Sequence, residues 1–134
     1  MDATVIYNDG FGSVIDWADD DFVEIRWYDT TKHLSAERFN DWLTAFAGEV
    51  ERAGRSGVLV DAVQFRMDMA TMDCPFRDAN IIPRYNAAGV KRFAFLMPAG
   101  MPAVGASPAP EGPATFPTGY FDSRPAALAW LAGS

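Results

Sequence analysis

Val58-Leu59-Val60-Asp61, a short apolar run ending in an acid, is followed about thirty residues later by Arg92-Phe93-Ala94-Phe95-Leu96-Met97. Runs that are apolar at every position need cover on both faces. Two of them separated by a helical stretch read as a βαβ unit with a buried parallel sheet. The stretch between them closes on Ala87-Ala88-Gly89-Val90, with Gly89 as the helix terminator. Pro83 inside that stretch should kink or break it, giving two segments, 76–80 and 84–88, that meet there. The chain ends on a further strand and helix, Tyr120-Phe121 leading into Asp122-Ser123-Arg124-Pro125 and Ala126–Leu131.

Working outward toward the N-terminus, Thr4–Tyr7 is a short strand stopped by the turn signal Asn8-Asp9-Gly10. Ser13–Trp17 and Phe22–Tyr28 flank Asp19-Asp20-Asp21 and read as two antiparallel strands near the sheet edge. Alternation with period 2 puts Val23, Ile25 and Trp27 on the core side, with Phe22, Glu24, Arg26 and Tyr28 on the other. Spaced oxygens and a glycine hinge are needed for a calcium loop, so the three aspartates read as a hairpin turn. The clearest helix follows. Ser35 is its N-cap, Leu34 and Phe39 its hydrophobic staple, and Gly54 its end. Phe39, Trp42, Leu43, Phe46, Ala47, Val50 and Ala53 form one apolar stripe that should be buried against the sheet.

The expectation is one α/β domain over residues 1–134. It has a mixed, mostly parallel sheet of about five strands, an N-terminal β-hairpin and packed helices. A Pro/Gly-rich loop at about 98–115 interrupts it. Six of the nine prolines lie between Pro98 and Pro117, and the residues from 99 to 114 offer little to bury, so that segment reads as a mobile insertion or lid.

Composition narrows the function. The chain has 134 residues and is 49% hydrophobic, enough for a core of its own. No apolar run reaches the roughly 18 residues that span a bilayer. The first residues carry no basic n-region or apolar h-region, so no signal peptide is expected. With a single Cys74, this points to the cytoplasm. Residues 1–51 hold twelve acids against three bases, in a chain of net charge −7. Such a face repels phosphates, which argues against nucleic acids and anionic membranes.

Chemistry is sparse. There is no phosphate loop, no HExxH and no Cys/His pair, so no metal or cofactor is expected. His33 precedes a helix start and Cys74 lacks an evident base, so neither reads as catalytic. Asp61 is the one polar residue that stands out. It closes a buried strand at the carboxyl edge of the sheet, where open α/β folds place ligands. Gln64, Arg66, Met67, Met69 and Met72 follow it, and Arg84 lies in the next helical stretch. Methionines adapt to irregular apolar shapes, and arginines gather anions. These seven residues form the candidate surface for a ligand or partner.

The order of elements, with Asn80-Ile81-Ile82-Pro83-Arg84, Gly89-Val90-Lys91-Arg92-Phe93 and the closing Trp130-Leu131, resembles the bacterial STAS-like proteins. These are related to the anti-sigma-factor antagonists and, in fold, to CRAL-TRIO lipid-carrier domains. The resemblance implies a small non-enzymatic regulatory or binding domain of uncharacterised function, recognising a protein partner or a small apolar ligand. In the antagonist branch a phosphorylatable serine follows the strand-ending aspartate. Ala62 stands there in this chain, so that switch is not carried over. Two other readings compete. One is a cofactor-free enzyme with Asp61 as general base and Arg66 or Arg84 as electrostatic stabiliser. The other is a homodimer that hides an aromatic surface.

Overall fold

The computed structural model describes residues 3–67, 74–98, 109–110 and 113–133. Among the described residues, seven strands form one sheet: β1 (Ala3–Asn8), β2 (Gly12–Trp17), β3 (Phe22–Trp27), β4 (Gly57–Asp61), β5 (Arg92–Leu96), the two-residue β6 (Ala109–Pro110) and β7 (Pro117–Phe121). The spatial order is β1-β2-β3-β4-β5-β7-β6. β3, β4, β5 and β7 are parallel neighbours, and the joints outside them are antiparallel. The fold class is therefore the α/β type with a mixed sheet that the sequence predicts, and β4 and β5 are adjacent at its centre. The second hairpin strand, β3, is not near an edge: it pairs in parallel with β4 and so lies inside the sheet.

Helices cover both faces, as the all-apolar strands require. On one face lies α1 (Ala36–Ala53), begun by Ser35, whose hydroxyl accepts from the Arg38 N–H at 3.1 Å, and ended by Gly54 at φ +68°. Its Phe39, Trp42, Phe46, Ala47 and Val50 are buried with Val23, Ile25, Trp27, Val58 and Val60. Leu43 is only half-buried, at the margin of the stripe.

Beside α1 runs a helical stretch made of α2 (Cys74–Phe76), a π-helical turn (Arg77–Ile81) and α3 (Ile82–Ala88). Pro83 does not break the run, but the expected irregularity is there as a wide turn. The wide turn comes just before Pro83, with the Ile82 N–H donating to the Arg77 carbonyl, and Pro83 then occupies the first turn of α3, where a missing N–H costs nothing. Gly89, at φ +87°, ends the run as expected.

The opposite face is covered by α4 (Arg124–Leu131), which packs with Phe22, Leu59, Ala94, Leu96 and Phe121 through its buried Ala127. Because α4 follows β7 directly, its first residue stands at the carboxyl edge of the parallel strands.

The end of the Pro/Gly-rich segment is held rather than mobile. Asn86 on α3 donates to the Pro113 carbonyl at 3.1 Å and accepts from the Thr115 N–H at 3.0 Å, and Ala114 and Phe116 are buried. The expected mobility of residues 99–108 lies outside the described residues.

Candidate functional site

Asp61 is placed where the sequence puts it, at the carboxyl end of β4, opposite Arg26 of β3 and Leu96 of β5. Strand alternation aims it at the α4 face, with Leu59 of the same strand. What it meets there is not what its sequence neighbours suggest. The centre of the site is Glu24, whose side chain is 0% exposed. Its carboxylate accepts four hydrogen bonds: from Arg124 Nη2 at 2.6 Å and Nη1 at 3.2 Å, from Arg26 Nε at 3.0 Å, and from Trp17 Nε1 at 3.0 Å. Asp61 Oδ2 lies 3.6 Å from Arg26 Nε and 3.7 Å from Arg124 Nη1, while Oδ1 accepts from the Val63 N–H at 3.2 Å. Two carboxylates thus share two guanidinium groups.

The arrangement explains a local oddity. Arg124 opens α4, and a cation at a helix N-terminus opposes the helix dipole. Glu24 and Asp61 offset that cost, and Arg124 also lies over the Trp17 ring, 5.7 Å from its centroid. Ser123 caps the same helix end by accepting from the Ala126 N–H at 3.2 Å.

The two acids respond oppositely to this setting. Burial pushes the Glu24 carboxyl up, but hydrogen bonds from Arg124 and Arg26 outweigh it and hold the group below its ordinary range. Asp61 is raised, first by burial and then by the neighbouring Glu24 charge. The Val63 N–H and the two arginines reverse this only in part. The difference is geometric: Glu24 holds the short hydrogen bonds, and Asp61 receives the longer ion pairs.

The other sequence candidates separate. Gln64 is exposed beside Asp61. Arg66 turns back on its own loop, donating from Nη1 to the Val63 and Phe65 carbonyls at 3.1 and 3.2 Å. Met67 is buried with α1 and Trp27 on the opposite face. Met69 and Met72 lie outside the described residues. Arg84 belongs to the α1 side, where it donates to both oxygens of Glu51 at 2.9 and 2.6 Å. The sheet separates it from Asp61, so neither Arg66 nor Arg84 is the partner the sequence suggested. Arg26 and Arg124 fill that role. The one sequence signal for them was the pairing of Glu24 and Arg26 on the same side of an alternating strand.

A concavity of about 380 Å³ opens at the other end of α4 between Asp19, Asp20, Asp21, Phe22, Ser56, Leu128, Leu131 and Ala132. Asp21 sits in the left-handed region at φ 59° and ties two strand starts together. Its carboxylate accepts from the Ser56 N–H at 3.2 Å and from the Ser56 hydroxyl. The aspartate run is thus the turn the sequence predicts, built on a 3-10 turn over Ala18–Asp20. Among the described residues, no group of three or more His, Cys, Asp or Glu side chains is placed to hold a metal ion, and no helix is long and apolar enough to cross a membrane.

Comparison with known proteins adds no relative: no family model, curated protein or solved structure matches the chain.

Proposed function

We propose that this chain is a non-catalytic recognition domain of STAS-like type, and that it docks a protein partner on the loop after β4. The observation that carries this reading is the way the loop is held. The Ala62 N–H donates to the Leu96 carbonyl at 2.9 Å, the Phe65 N–H to the Ala62 carbonyl at 3.1 Å, and the Arg66 N–H to Thr31 Oγ1 at 2.8 Å. Asp61 fixes the Val63 N–H. Phe65 packs against Trp27 and Phe39, with ring centroids 5.5 and 5.7 Å away. Between these anchors Val63 and Gln64 stay exposed, Val63 at 38%. The described part of this loop, residues 62–67, is held before binding and tipped by an apolar side chain, which spares a partner the entropy of ordering it.

In the antagonist branch that the chain resembles, the serine of the partner switch follows the strand-ending aspartate, at this same point of the chain. With Ala62 in the acceptor position, binding would not be switched by phosphate there. The lone cysteine suits a reducing cytoplasm, and the acidic N-terminal half suits a protein partner better than a nucleic acid.

The rival, a cofactor-free enzyme with Asp61 as base, has one observation in its favour: the raised Asp61 carboxyl. Yet each Asp61 oxygen already faces a donor within the fold, Oδ1 the Val63 N–H at 3.2 Å and Oδ2 the Arg26 guanidinium at 3.6 Å, so a substrate proton would have to displace one of these contacts.

The test compares tagged wild type with Val63→Glu in the native host by crosslinking, and examines both purified proteins by native mass spectrometry. One protein lost from the variant, with melting temperature unchanged, supports the reading. An identical set of crosslinks, together with a small apolar molecule carried by both proteins, would overturn it.

A further inference from the structure

We propose that the concavity at the end of α4 binds a small organic cation, a primary ammonium group carried on a compact apolar body. The space measures about 380 Å³, within the range of small-molecule sites. Its two walls differ. One is the aspartate turn, with Asp20 exposed at the rim and Asp21 beside Ser56. The other is apolar: the buried Phe22 of β3 with the half-buried Leu128 and Leu131 of α4. Both walls are fixed within the fold. Asp21 stands at φ 59°, and its carboxylate accepts from the Ser56 N–H at 3.2 Å and from the Ser56 hydroxyl, while its carbonyl accepts from the Gly57 N–H at 3.1 Å. Phe22 stacks on the Trp17 ring at 5.8 Å. Glycine at position 57 lets the walls meet, since a Cβ there would stand 3.1 Å from Phe22 Cβ and 3.4 Å from Leu131 Cδ2. A preformed site spares a ligand the cost of ordering it.

The polar groups of the lining select the occupant. They are carboxylates and one hydroxyl, and no Lys, Arg or His is among the lining residues. Asp19 already has a partner, and the Ser56 hydroxyl is engaged by Asp21. The acceptors for a ligand are therefore Asp20 and the remaining lone pairs of Asp21. The last turn of α4 carries no base, and the carbonyl end of the helix dipole adds to the negative field. The bases that border this end of the sheet are committed elsewhere. Arg55 pairs with Asp16 at 2.8 and 3.0 Å, and Arg92 donates to the Trp130 carbonyl and lies over the Trp130 ring, 5.3 Å from its centroid. Lys91, whose N–H donates to the Ser56 carbonyl at 2.7 Å, does not line the space. An anion would be repelled by this wall. A bare metal ion would gain nothing from the leucines, and among the described residues no acidic cluster is placed to hold one. An ammonium donates to the acids while its apolar body covers Leu128, Leu131 and the edge of Phe22.

The test uses the full chain and probes that share one ring: cyclohexylmethylamine, cyclohexylmethanol and cyclohexanecarboxylate. Amide NMR of the isotope-labelled protein reads both the affinity and the place of binding. The amine should shift the signals of Asp20, Asp21, Ser56 and Leu131 and leave those of Asp61 and Val63 unmoved. It should bind about tenfold more tightly than the alcohol, with an advantage that shrinks as salt screens it, and the carboxylate should cause no shift. Asp20→Lys, at an exposed position, should weaken the amine about tenfold, and Leu131→Ala, which removes part of the apolar wall, about threefold. The proposal is overturned by equal affinity of amine and alcohol, by shifts that map away from the end of α4, by no shift at millimolar amine, or by binding that neither variant weakens. A lysine blocked at its amino and carboxyl groups presents the same ammonium on a peptide side chain. Tighter binding of that probe than of the amine would make a partner's lysine the occupant and would also overturn the proposal.

Discussion

Replacing Glu24 with alanine removes the acceptor of four hydrogen bonds from a fully buried site. Arg124 and Arg26 are then left facing Asp61 alone, at 3.6 to 3.7 Å. Removing one partner of a buried ion pair costs about 3–5 kcal/mol, because the remaining charge keeps its desolvation penalty. Arg124 and Arg26 are 31% and 41% exposed, so water recovers part of that, and the low end, about 3 kcal/mol, is expected. In a domain of this size that lowers the melting temperature by roughly 10 °C. The assay is urea unfolding followed by tryptophan fluorescence, repeated for Arg124→Ala and for the double variant. Contact this close should give a coupling energy of about 1–3 kcal/mol. A Glu24→Ala loss below about 1 kcal/mol, or additive single effects, would refute the claim that this network ties α4 to β3.

Asp61→Asn should behave differently. The Asp61 carboxyl is raised in the fold, so its contribution is full below the unfolded carboxylate value and is lost as pH rises through the raised folded one. An amide imitates the neutral form and can still accept from the Val63 N–H. Asp61→Asn should therefore match or exceed the wild type at pH 7 and lose any advantage near pH 3, as read by urea melts at both pH values. A loss above about 1 kcal/mol at pH 7 would mean that the ion pairs outweigh the burial cost. Glu24 has the opposite sign. Its lowered carboxyl contributes stability above the ordinary glutamate range and loses it as pH falls through the folded value, so Glu24→Gln should flatten the acid limb of the stability curve. Asn86→Ala removes the hydrogen bonds to Pro113 and Thr115, should cost about 1–2 kcal/mol, and should expose the chain before β7 to limited proteolysis; unchanged cleavage would show that Ala114 and Phe116 hold it unaided.

Much of the scaffold was legible because it rests on local rules. Period-3.6 spacing from Phe39 to Val50 marks α1, while Ser35 and Gly54 mark its ends. All-apolar runs mark β4 and β5. Each depends on residues within a turn or two of one another, so no knowledge of the rest of the chain is needed. Asp61 was also legible, since its place at a strand end follows from the strand itself. Its partners were not. Alternation along β3 set Glu24 and Arg26 opposite the α1-facing residues, on a side whose cover the strand alone does not reveal. That side is buried because α4, about a hundred residues later, closes over it and inserts Arg124. Arg84 follows Asp61 far sooner in sequence, yet α3 packs on the opposite face of the sheet. Sequence alone determined the main helices and strands and which residue closes the central strand. Which charges meet across the α4 face was decided by the tertiary structure, because burial on the second face of a sheet depends on where a later helix returns, and no local pattern encodes that return.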